Sequence, residues 1–244
     1  MGKVVAIHQP NFFPWLGYFD KIARSDVFVL FDDVQFPKKG GVWSNRVKLL
    51  IGGEAQWVTA SIVRNYSGVQ NINEMEFRSD IPWREKIIRS IEFNYKKAPF
   101  YEETFEVFQP FLMNPENNIA EYNCHAVSEI VARLGLDHTK MVRSSSIDHD
   151  GSSNELLIDL IRKVGGDTYM CGGGADGYQD DAIFDEKKIQ LLYQSFDHPV
   201  YPQFNTEQFV SGLSIIDVLV NLGFEQTKNC FKSHLTGYAP NNSK

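Results

Sequence analysis

His8 stands in a polar segment with prolines that directly follows a short apolar run over residues 4–7. In an open α/β sheet, ligands bind in the loops that leave the carboxyl ends of the strands. A histidine at such a place can donate a hydrogen bond to a phosphate or act as an acid or base. It can equally cap the strand end by hydrogen bonding, and the segment alone does not separate these roles.

Two carboxylates, Asp32 and Asp33, follow a second apolar run over residues 26–31. Paired acids can hold a divalent ion, or orient a hydroxyl-bearing or cationic ligand. They can also cap a turn in a solvated loop. We favour a functional role, because the ends of two neighbouring strands would bring both acids beside His8.

A basic and glycine-containing stretch follows these acids. Arg46, next to Asn45, suits a phosphate or a carboxylate, because a guanidinium pairs with either through two parallel hydrogen bonds. Lys38 and Lys39 are interpreted as a solvated charge run. Residues 172–177 fit the spacing G-x-G-x-x-G, but the short acidic segment after them does not provide the apolar helix of a dinucleotide site. We expect instead a loop whose backbone approaches a ligand closely.

Three other segments carry polar or reactive side chains. The serines at 144–146 can bind a phosphate, although a polar linker is the favoured interpretation. The loop over 198–203, rigid and aromatic, is expected to close over a site. Cys124 and His125 are adjacent on a predicted helix, so their side chains point apart and no shared metal site is expected.

The elements that position these groups begin with a strand, a helix and a second strand. Apolar residues on one face predict a helix over 16–24, between strands over 3–7 and 26–31. Because the connection is long enough for a βαβ unit, the two strands are predicted to be parallel neighbours. Beyond them, residues 56–62 are expected to pair back as a hairpin partner across a turn at Gly52-Gly53.

Helical patterns dominate the middle of the chain. An apolar stripe predicts a helix that Asp80 caps. A second helix over 100–113 is expected to be interrupted near Pro110. Residues 118–134 have the clearest pattern, with Gly135 where a C-terminal cap glycine belongs. Later strands are predicted over 141–142, 168–171 and 189–194, and later helices over 154–164 and 214–222, the last ended by Gly223.

The predicted fold class is therefore α/β: an open, mostly parallel sheet with helices on both faces and a helical insertion in the middle. We expect an N-terminal α/β half over 1–81, the helical insertion over 82–140 and a C-terminal α/β half over 141–236. The tail over 237–244 is expected to fray.

Composition narrows the function classes. The chain has 244 residues, of which 43% are hydrophobic, so it can bury a substantial core. A net charge of -7 argues against a nucleic-acid partner, because phosphate contacts require basic surface. Three cysteines without a disulfide or metal-ligand pattern favour a reducing compartment. With no leader pattern and no apolar run of membrane-spanning length, we expect a cytoplasmic protein without a membrane partner.

Several segments together resemble the WbqC-like protein family of bacteria, almost from end to end. The segments are residues 8–19, Asp32-Asp33-Val34-Gln35, Trp43-Ser44-Asn45-Arg46, Tyr95-Lys96-Lys97-Ala98-Pro99, Gly172-Gly173-Gly174, Tyr201-Pro202-Gln203 and residues 213–217. Gly40-Gly41-Val42 lengthens the segment before the Trp-x-Asn-Arg motif. The resemblance implies a gene context of O-antigen and other surface polysaccharides, or of small secondary metabolites. That context suggests work on a nucleotide-linked sugar, an acyl group or an aminoacyl group.

A more distant similarity concerns the order of the first elements. A strand, a histidine-bearing loop, a glycine at a helix start and a second strand look like the opening of the nucleotidyltransferase-type α/β fold, which includes pantothenate synthetase. Tyr18 follows Gly17 where a second histidine would be expected, so the adenylation motif is incomplete. The fold analogy leaves ATP as a candidate cofactor without establishing it.

Together these observations predict an enzyme that modifies an amino sugar or similar amine by N-acyl or aminoacyl transfer during surface-polysaccharide synthesis. The expected catalytic residues are His8, Asp32 and Asp33. The expected substrate-binding residues are Gln9, Asn11, Trp15, Tyr18, Asn45, Arg46, Gly172, Gly173, Gly174, Tyr201 and Gln203. The alternatives are a non-catalytic carrier of a nucleotide sugar or small metabolite, and a structural subunit. A homo-oligomer is compatible with each of them.

Overall fold

The computed structural model describes residues 2–37, 43–172 and 179–231. Among these residues, five strands form a parallel sheet. In spatial order they are β5 (Lys140–Arg143), β2 (Val27–Leu30), β1 (Val4–His8), β6 (Thr168–Gly172) and β7 (Gln190–Gln194). The predicted α/β class and the parallel pairing of β1 with β2 are confirmed.

Helices cover both faces of this sheet, as predicted. The side chains of Ala6 and Phe28 pack with α1 (Leu16–Ala23) and with the helical region. Val5 and Val27 point to the other face, where they pack with α5 (Ser153–Lys163) and α6 (Asp181–Glu186). Strand β2 is buried along its whole length, which explains why its sequence is a continuous apolar run rather than an alternating one.

The helical region lies between a small hairpin and β5. The hairpin consists of β3 (Arg46–Ile51) and β4 (Glu54–Thr59), joined by Gly52 and Gly53 at φ values of 62° and 85°. Two successive positive φ values suit a tight hairpin turn. The helices are α2 (Trp83–Tyr95), α3 (Tyr101–Leu112), α4 (Ile119–Arg133) and, at the end of the described chain, α7 (Ile215–Asn229). All four contribute to the same hydrophobic cluster as α1.

Two predicted helix ends in this region are wrong. Asp80 does not cap α2, since its carboxylate bonds the guanidinium of Arg78 and the helix starts after Pro82 without a side-chain cap. Pro110 does not interrupt α3, which continues to Leu112. A proline near the end of a helix removes one backbone hydrogen bond, and the packed apolar face of α3 tolerates that loss.

A third predicted end is confirmed: the helix that begins α7 ends at Gly223, where the backbone leaves helical geometry at φ 69° and ψ 173°. A second helical segment follows the kink and continues α7 to Asn229. Gly223 lies against Phe100, where a Cβ would be only 2.7 Å from the phenyl ring. The glycine therefore provides both the break and a close approach to Phe100. No helix in the described ranges is long and apolar enough to cross a membrane.

Candidate functional site

The carboxyl ends of three neighbouring strands bring the predicted polar residues to one edge of the sheet. In the observed register, His8 at the end of β1 lies opposite Leu30 of β2, and Leu30 lies opposite Arg143 of β5. The backbone N–H of Phe31 donates to the His8 carbonyl at 2.8 Å, so Asp32 follows directly after the last hydrogen bond between these two strands. The edge carries His8, both acids and the residues that follow β5.

Asp32 is completely buried, and donors surround its carboxylate. Oδ1 accepts a hydrogen bond from the Ser145 backbone N–H at 3.0 Å and also lies 3.0 Å from the Ser144 hydroxyl, whose single proton points to the closer Asp33. Oδ2 accepts from the Ser145 hydroxyl at 2.7 Å and from Arg143 Nε at 2.8 Å. Burial works to raise the pKa of Asp32, but the Ser145 and Arg143 hydrogen bonds outweigh it, and the pKa lies below its usual range. This carboxylate is ionised and fixed.

The serines that make these bonds follow β5 directly. The interpretation of residues 144–146 as a polar linker is wrong, since Ser144 is completely buried and Ser145 donates twice to Asp32. Arg143 extends the arrangement outwards, because its Nη1 lies 2.5 Å from Glu121 of α4. The serines are visible in the sequence, but their partner is not, because Asp32 lies more than a hundred residues earlier in the chain.

Asp33 forms a dyad with His149, a residue that the sequence analysis missed. Asp33 Oδ2 lies 2.7 Å from His149 Nε2, and Asp33 Oδ1 lies 2.5 Å from the Ser144 hydroxyl. A carboxylate oxygen accepts from a ring N–H, so Nε2 carries a proton in this contact, and Nδ1 is the nitrogen that can act as an acceptor in the neutral ring. Both side chains are still partly exposed, at 17% for Asp33 and 18% for His149. The dyad is thus oriented and accessible.

A cavity of about 550 Å³ is lined by residues close in sequence to this dyad, although neither Asp33 nor His149 is among them. Val34 and Gln35, which follow Asp33, form one wall, and Ser153 and Asn154 at the start of α5 form another. Phe31, Leu156, Leu157, Tyr169 and Gln179 complete the lining. A volume of this size accommodates a small organic ligand.

His8 occupies a different environment at the same edge. Its Nδ1 lies 3.1 Å from the Gln9 carbonyl, which can only accept, so Nδ1 carries the proton and Nε2 is the acceptor. The ring packs edge-on against Tyr18, whose hydroxyl donates to the same Gln9 carbonyl. Burial, with a smaller effect of the Lys21 charge, lowers the pKa of His8 to about 3. His8 is therefore neutral near pH 7 and does not present a cation to a phosphate.

Lys21 of α1 is the second residue that the sequence analysis missed. Its side chain is buried, with an exposed fraction of 5%, close to the end of β6. A Cβ placed on Gly172 would lie 3.4 Å from Lys21 Nζ. Burial lowers the pKa of Lys21 to about 8, and the nearby Cys171 and Asp20 oppose that shift. The available signal was a lysine on a short helix whose other residues are mostly apolar.

A model of the WbqC-like protein family matches residues 9–229 of this chain. The chain belongs to the WbqC-like protein family. It is also 30% identical over 226 residues to the uncharacterized protein Rv1507c of Mycobacterium tuberculosis (strain ATCC 25618 / H37Rv), which covers 91% of this chain and 95% of that relative. No solved structure matches the chain significantly. The matched region includes Asp32, Asp33, Arg143 and His149, so the dyad and its supporting carboxylate lie within the family's extent.

The segment from Trp43 to Arg46 lies beside the His8 loop. The Phe12 N–H donates to the Trp43 carbonyl at 2.8 Å, and Asn123 of α4 donates to the carbonyls of both Pro10 and Ser44. These bonds hold the two loops together as neighbouring walls.

Within this segment, the predicted binding residues have different environments. Asn45 is buried and donates to the Ala60 carbonyl, while the guanidinium of Arg46 lies 4.1 Å from the ring centre of the half-exposed Trp57. Asn11 is also buried, and its Oδ1 has no hydrogen-bond partner among the described residues. Arg46 remains accessible to a ligand, whereas Asn45 holds the loop.

Other predicted residues lie in the packing of the C-terminal part. Tyr201 and Gln203 donate to the buried Asp217 of α7 at 2.7 and 3.1 Å, and Tyr95 donates to its second oxygen at 2.9 Å. Burial raises the pKa of Asp217, against the effect of these hydrogen bonds. Trp15 packs on Phe196 and His198 instead of facing the acids. These hydrogen bonds and ring contacts form a network within the packing of the C-terminal part of the protein.

Some predicted residues cannot be compared with the structure. Gly173, Gly174, Lys38 and Lys39 lie outside the described residues, and so does the inserted segment over 40–42. Within the described ranges, no three histidine, cysteine, aspartate or glutamate side chains are grouped to hold a metal ion. The oxygens of Asp32 and Asp33 contact protein donors.

Proposed function

We propose that this WbqC-like protein is an enzyme that modifies an amino sugar or a similar amine by N-acyl or aminoacyl transfer. The observation that carries the proposal is the Asp33–His149 dyad, an imidazole with one nitrogen held by a carboxylate and the other available as an acceptor. Such an arrangement fixes the tautomer and orientation of a general base. The gene context implied by the family adds O-antigen or other surface polysaccharide synthesis as the setting.

The chemistry needs one proton acceptor close to the amine. The amine nitrogen attacks the acyl carbonyl, a nitrogen–carbon bond forms, and the bond to the leaving group breaks. The nitrogen loses a proton, which His149 Nδ1 accepts and then delivers to the leaving group. Asp33 orients His149, and Ser144 fixes Asp33 at its other oxygen. ATP remains a candidate co-substrate for activating the carboxylate of the acyl donor.

Asp32 takes a different part in this proposal from the catalytic one that the sequence suggested. Since its oxygens already accept from Ser145 and Arg143, we assign it to positioning the loop after β5. His8 is assigned as a neutral acceptor at Nε2, which can receive a hydrogen bond from the amine or a sugar hydroxyl. A cytoplasmic location agrees with the free cysteines at 124, 171 and 230.

The test pairs the purified protein with candidate amino sugars and amino acids, with and without ATP, and follows product mass and pyrophosphate release. His149→Ala should reduce turnover by roughly 10²- to 10⁴-fold, because a positioned general base contributes about that much. Asp33→Asn should reduce turnover in the same direction. His125→Ala is the matched control, since His125 is an exposed histidine on α4. Equal turnover for the His149 and His125 variants would contradict the role of the dyad.

A second candidate function is a carrier that hands a nucleotide sugar or a small metabolite to a partner enzyme. The hydrogen-bond saturation of Asp32 favours it, because a fixed, ionised carboxylate frames a binding site without exchanging protons. Saturable binding of an amino sugar or nucleotide sugar with no product from any pairing would support the carrier. Product formation that depends on His149 would exclude it.

A further inference from the structure

Lys21 is a buried lysine whose ammonium group has no close acceptor among the described residues. No hydrogen bond or ion pair joins its Nζ to any residue in the part of the chain that the structure describes, although its exposed fraction is only 5%. The nearest acid in sequence, Asp20, accepts instead from Gln194 at 2.8 Å and from Arg24 at 3.4 Å. Buried charges are normally paired, because desolvation of an isolated charge is costly. A buried ammonium group with no close acceptor among the described residues would therefore be stabilised by an anionic ligand.

Gly172, at the end of β6, lies beside this ammonium group. Outside Gly172 and its chain neighbours, Lys21 Nζ is the one described atom within 4 Å of the place that a Gly172 Cβ would occupy, at 3.4 Å. The imidazole of His8, whose pKa the Lys21 charge helps to lower, is neutral near pH 7, so it does not compete as a second cation. Lys21 and Gly172 are thus neighbours on the edge of the sheet that also carries His8 and the dyad.

We propose that Lys21 binds an oxyanion, a carboxylate or phosphate group of the substrate, beside Gly172 at the ends of β1 and β6. The assignment of this anion to the substrate rests on the proposed function, while the binding itself does not. An oxyanion supplies a direct acceptor for the ammonium group, in addition to the charge of the nearby Asp20 carboxylate, and a charge-assisted hydrogen bond in such a place is strong. The anion anchors the ligand at one end of the edge, and the dyad acts at the other.

The lowered pKa of Lys21 agrees with this arrangement. At about 8 it still leaves most of the side chain protonated at pH 7, so the positive charge is present without a partner. An anion placed beside Nζ should raise the pKa of Lys21. It should also raise the pKa of His8, because the Lys21 charge is one of the causes that lower it.

The experiment measures oxyanion binding by the full chain with isothermal titration calorimetry at pH 7 and constant ionic strength. Phosphate and pyrophosphate form one arm, and acetate and glycine the other, so the arms separate a phosphate from a carboxylate. Wild-type protein should bind in at least one arm. Lys21→Met should weaken that binding by at least about tenfold, as expected for the loss of a charged hydrogen bond. Lys97→Met, at an exposed lysine, should leave it unchanged.

A second variant tests the same anion position without changing Lys21. Gly172→Ala places a methyl group 3.4 Å from Nζ, in the proposed anion position, and should also weaken binding. His149→Ala should retain oxyanion binding, which separates this proposal from the catalytic one. Wild-type protein that binds none of the four anions, or a folded Lys21→Met protein that binds within about twofold of wild type, would overturn the proposal.

Discussion

The two halves of the sheet edge differ in how their charged side chains are paired: charges at the ends of β2 and β5 have protein partners, and the charge at the ends of β1 and β6 has no close one among the described residues. At the ends of β2 and β5, each oxygen of Asp32 and Asp33 has a protein donor, supplied by Arg143, Ser144, Ser145 or His149. At the ends of β1 and β6, by contrast, His8 is neutral and the ammonium group of Lys21 has no close acceptor among the described residues. The comparison suggests that the first half is a rigid frame and that the second half is completed by a ligand.

The largest expected effect is on the frame. Asp32→Ala should lower the free energy of unfolding by about 3–5 kcal/mol, because it leaves Arg143 and Ser145 without their buried acceptor. Urea unfolding at pH 7 measures it. Asp80→Ala is the control, since Asp80 is an exposed acid that also pairs with an arginine. A loss no greater than that of the control would mean that the frame is not rigid.

The opposite sign is expected for Lys21. Burial lowers its pKa from 10.5 to about 8, so between these values the unfolded chain holds the proton and the folded chain does not. Stability therefore rises with pH through that window, and the full penalty is present below pH 8. Lys21→Met should raise the free energy of unfolding by up to about 3 kcal/mol at pH 7, as the pKa difference implies.

The control for Lys21 is the pH dependence itself. The gain of Lys21→Met over wild type in urea unfolding should shrink as the pH rises from 8 towards 10.5. The groups that face Lys21 and also titrate are His8, Asp20 and Cys171, and they are the same in both proteins. A variant that is less stable than wild type at pH 7 would show that Lys21 supports the fold.

A smaller effect is expected for His8 at acid pH. Its pKa is lowered from 6.5 to about 3, so the unfolded chain binds a proton in that window and the folded chain does not. The free energy of unfolding is therefore highest above pH 6.5, and the contribution of His8 to it is lost as the pH falls towards 3. His8→Gln should remove a loss on the order of 2 kcal/mol, allowing for partial exposure of the ring. Equal acid unfolding of variant and wild type would place His8 in a more solvated site.

The smallest effect on stability is expected for Asp33. Asp33→Asn keeps the shape of the side chain and is partly exposed, so unfolding in urea should change by about 1 kcal/mol or less. Turnover should nevertheless fall, since an amide no longer orients the His149 imidazole as a carboxylate does. A loss of stability as large as that of Asp32→Ala would show that Asp33 has a structural role like that of Asp32 and is not part of a catalytic dyad.

The sequence predicted the part of this edge that follows from strand order. His8 and Asp32 each come directly after an apolar run, and a βαβ connection makes those runs parallel neighbours, so their ends must meet. His149 could not be found in this way. It lies in an irregular loop after β5, and its contact with Asp33 depends on β5 pairing with β2, which sequence spacing does not reveal.

Burial also explains the environments of Tyr201 and Gln203, the polar residues of an aromatic loop. The buried carboxylate of Asp217 accepts hydrogen bonds from both side chains. Both residues also line a cavity of about 420 Å³, so their predicted part in ligand binding stays a prediction. Lysine side chains usually face solvent, but Lys21 is buried. Every residue of α1 is buried, because this helix packs between the sheet and the other helices of the same hydrophobic cluster.

The sequence by itself determined the fold class, the parallel pairing of the first two strands and the family, because apolar periodicity and short motifs are local properties of the chain. The tertiary structure alone decided which charges are paired. Hydrogen-bond partners such as Asp32 with Arg143, and Asp33 with His149, are more than a hundred residues apart, and only the sheet brings them within bonding distance. The same packing leaves Lys21 buried with no close acceptor in the described part of the chain, and no local pattern encodes that state.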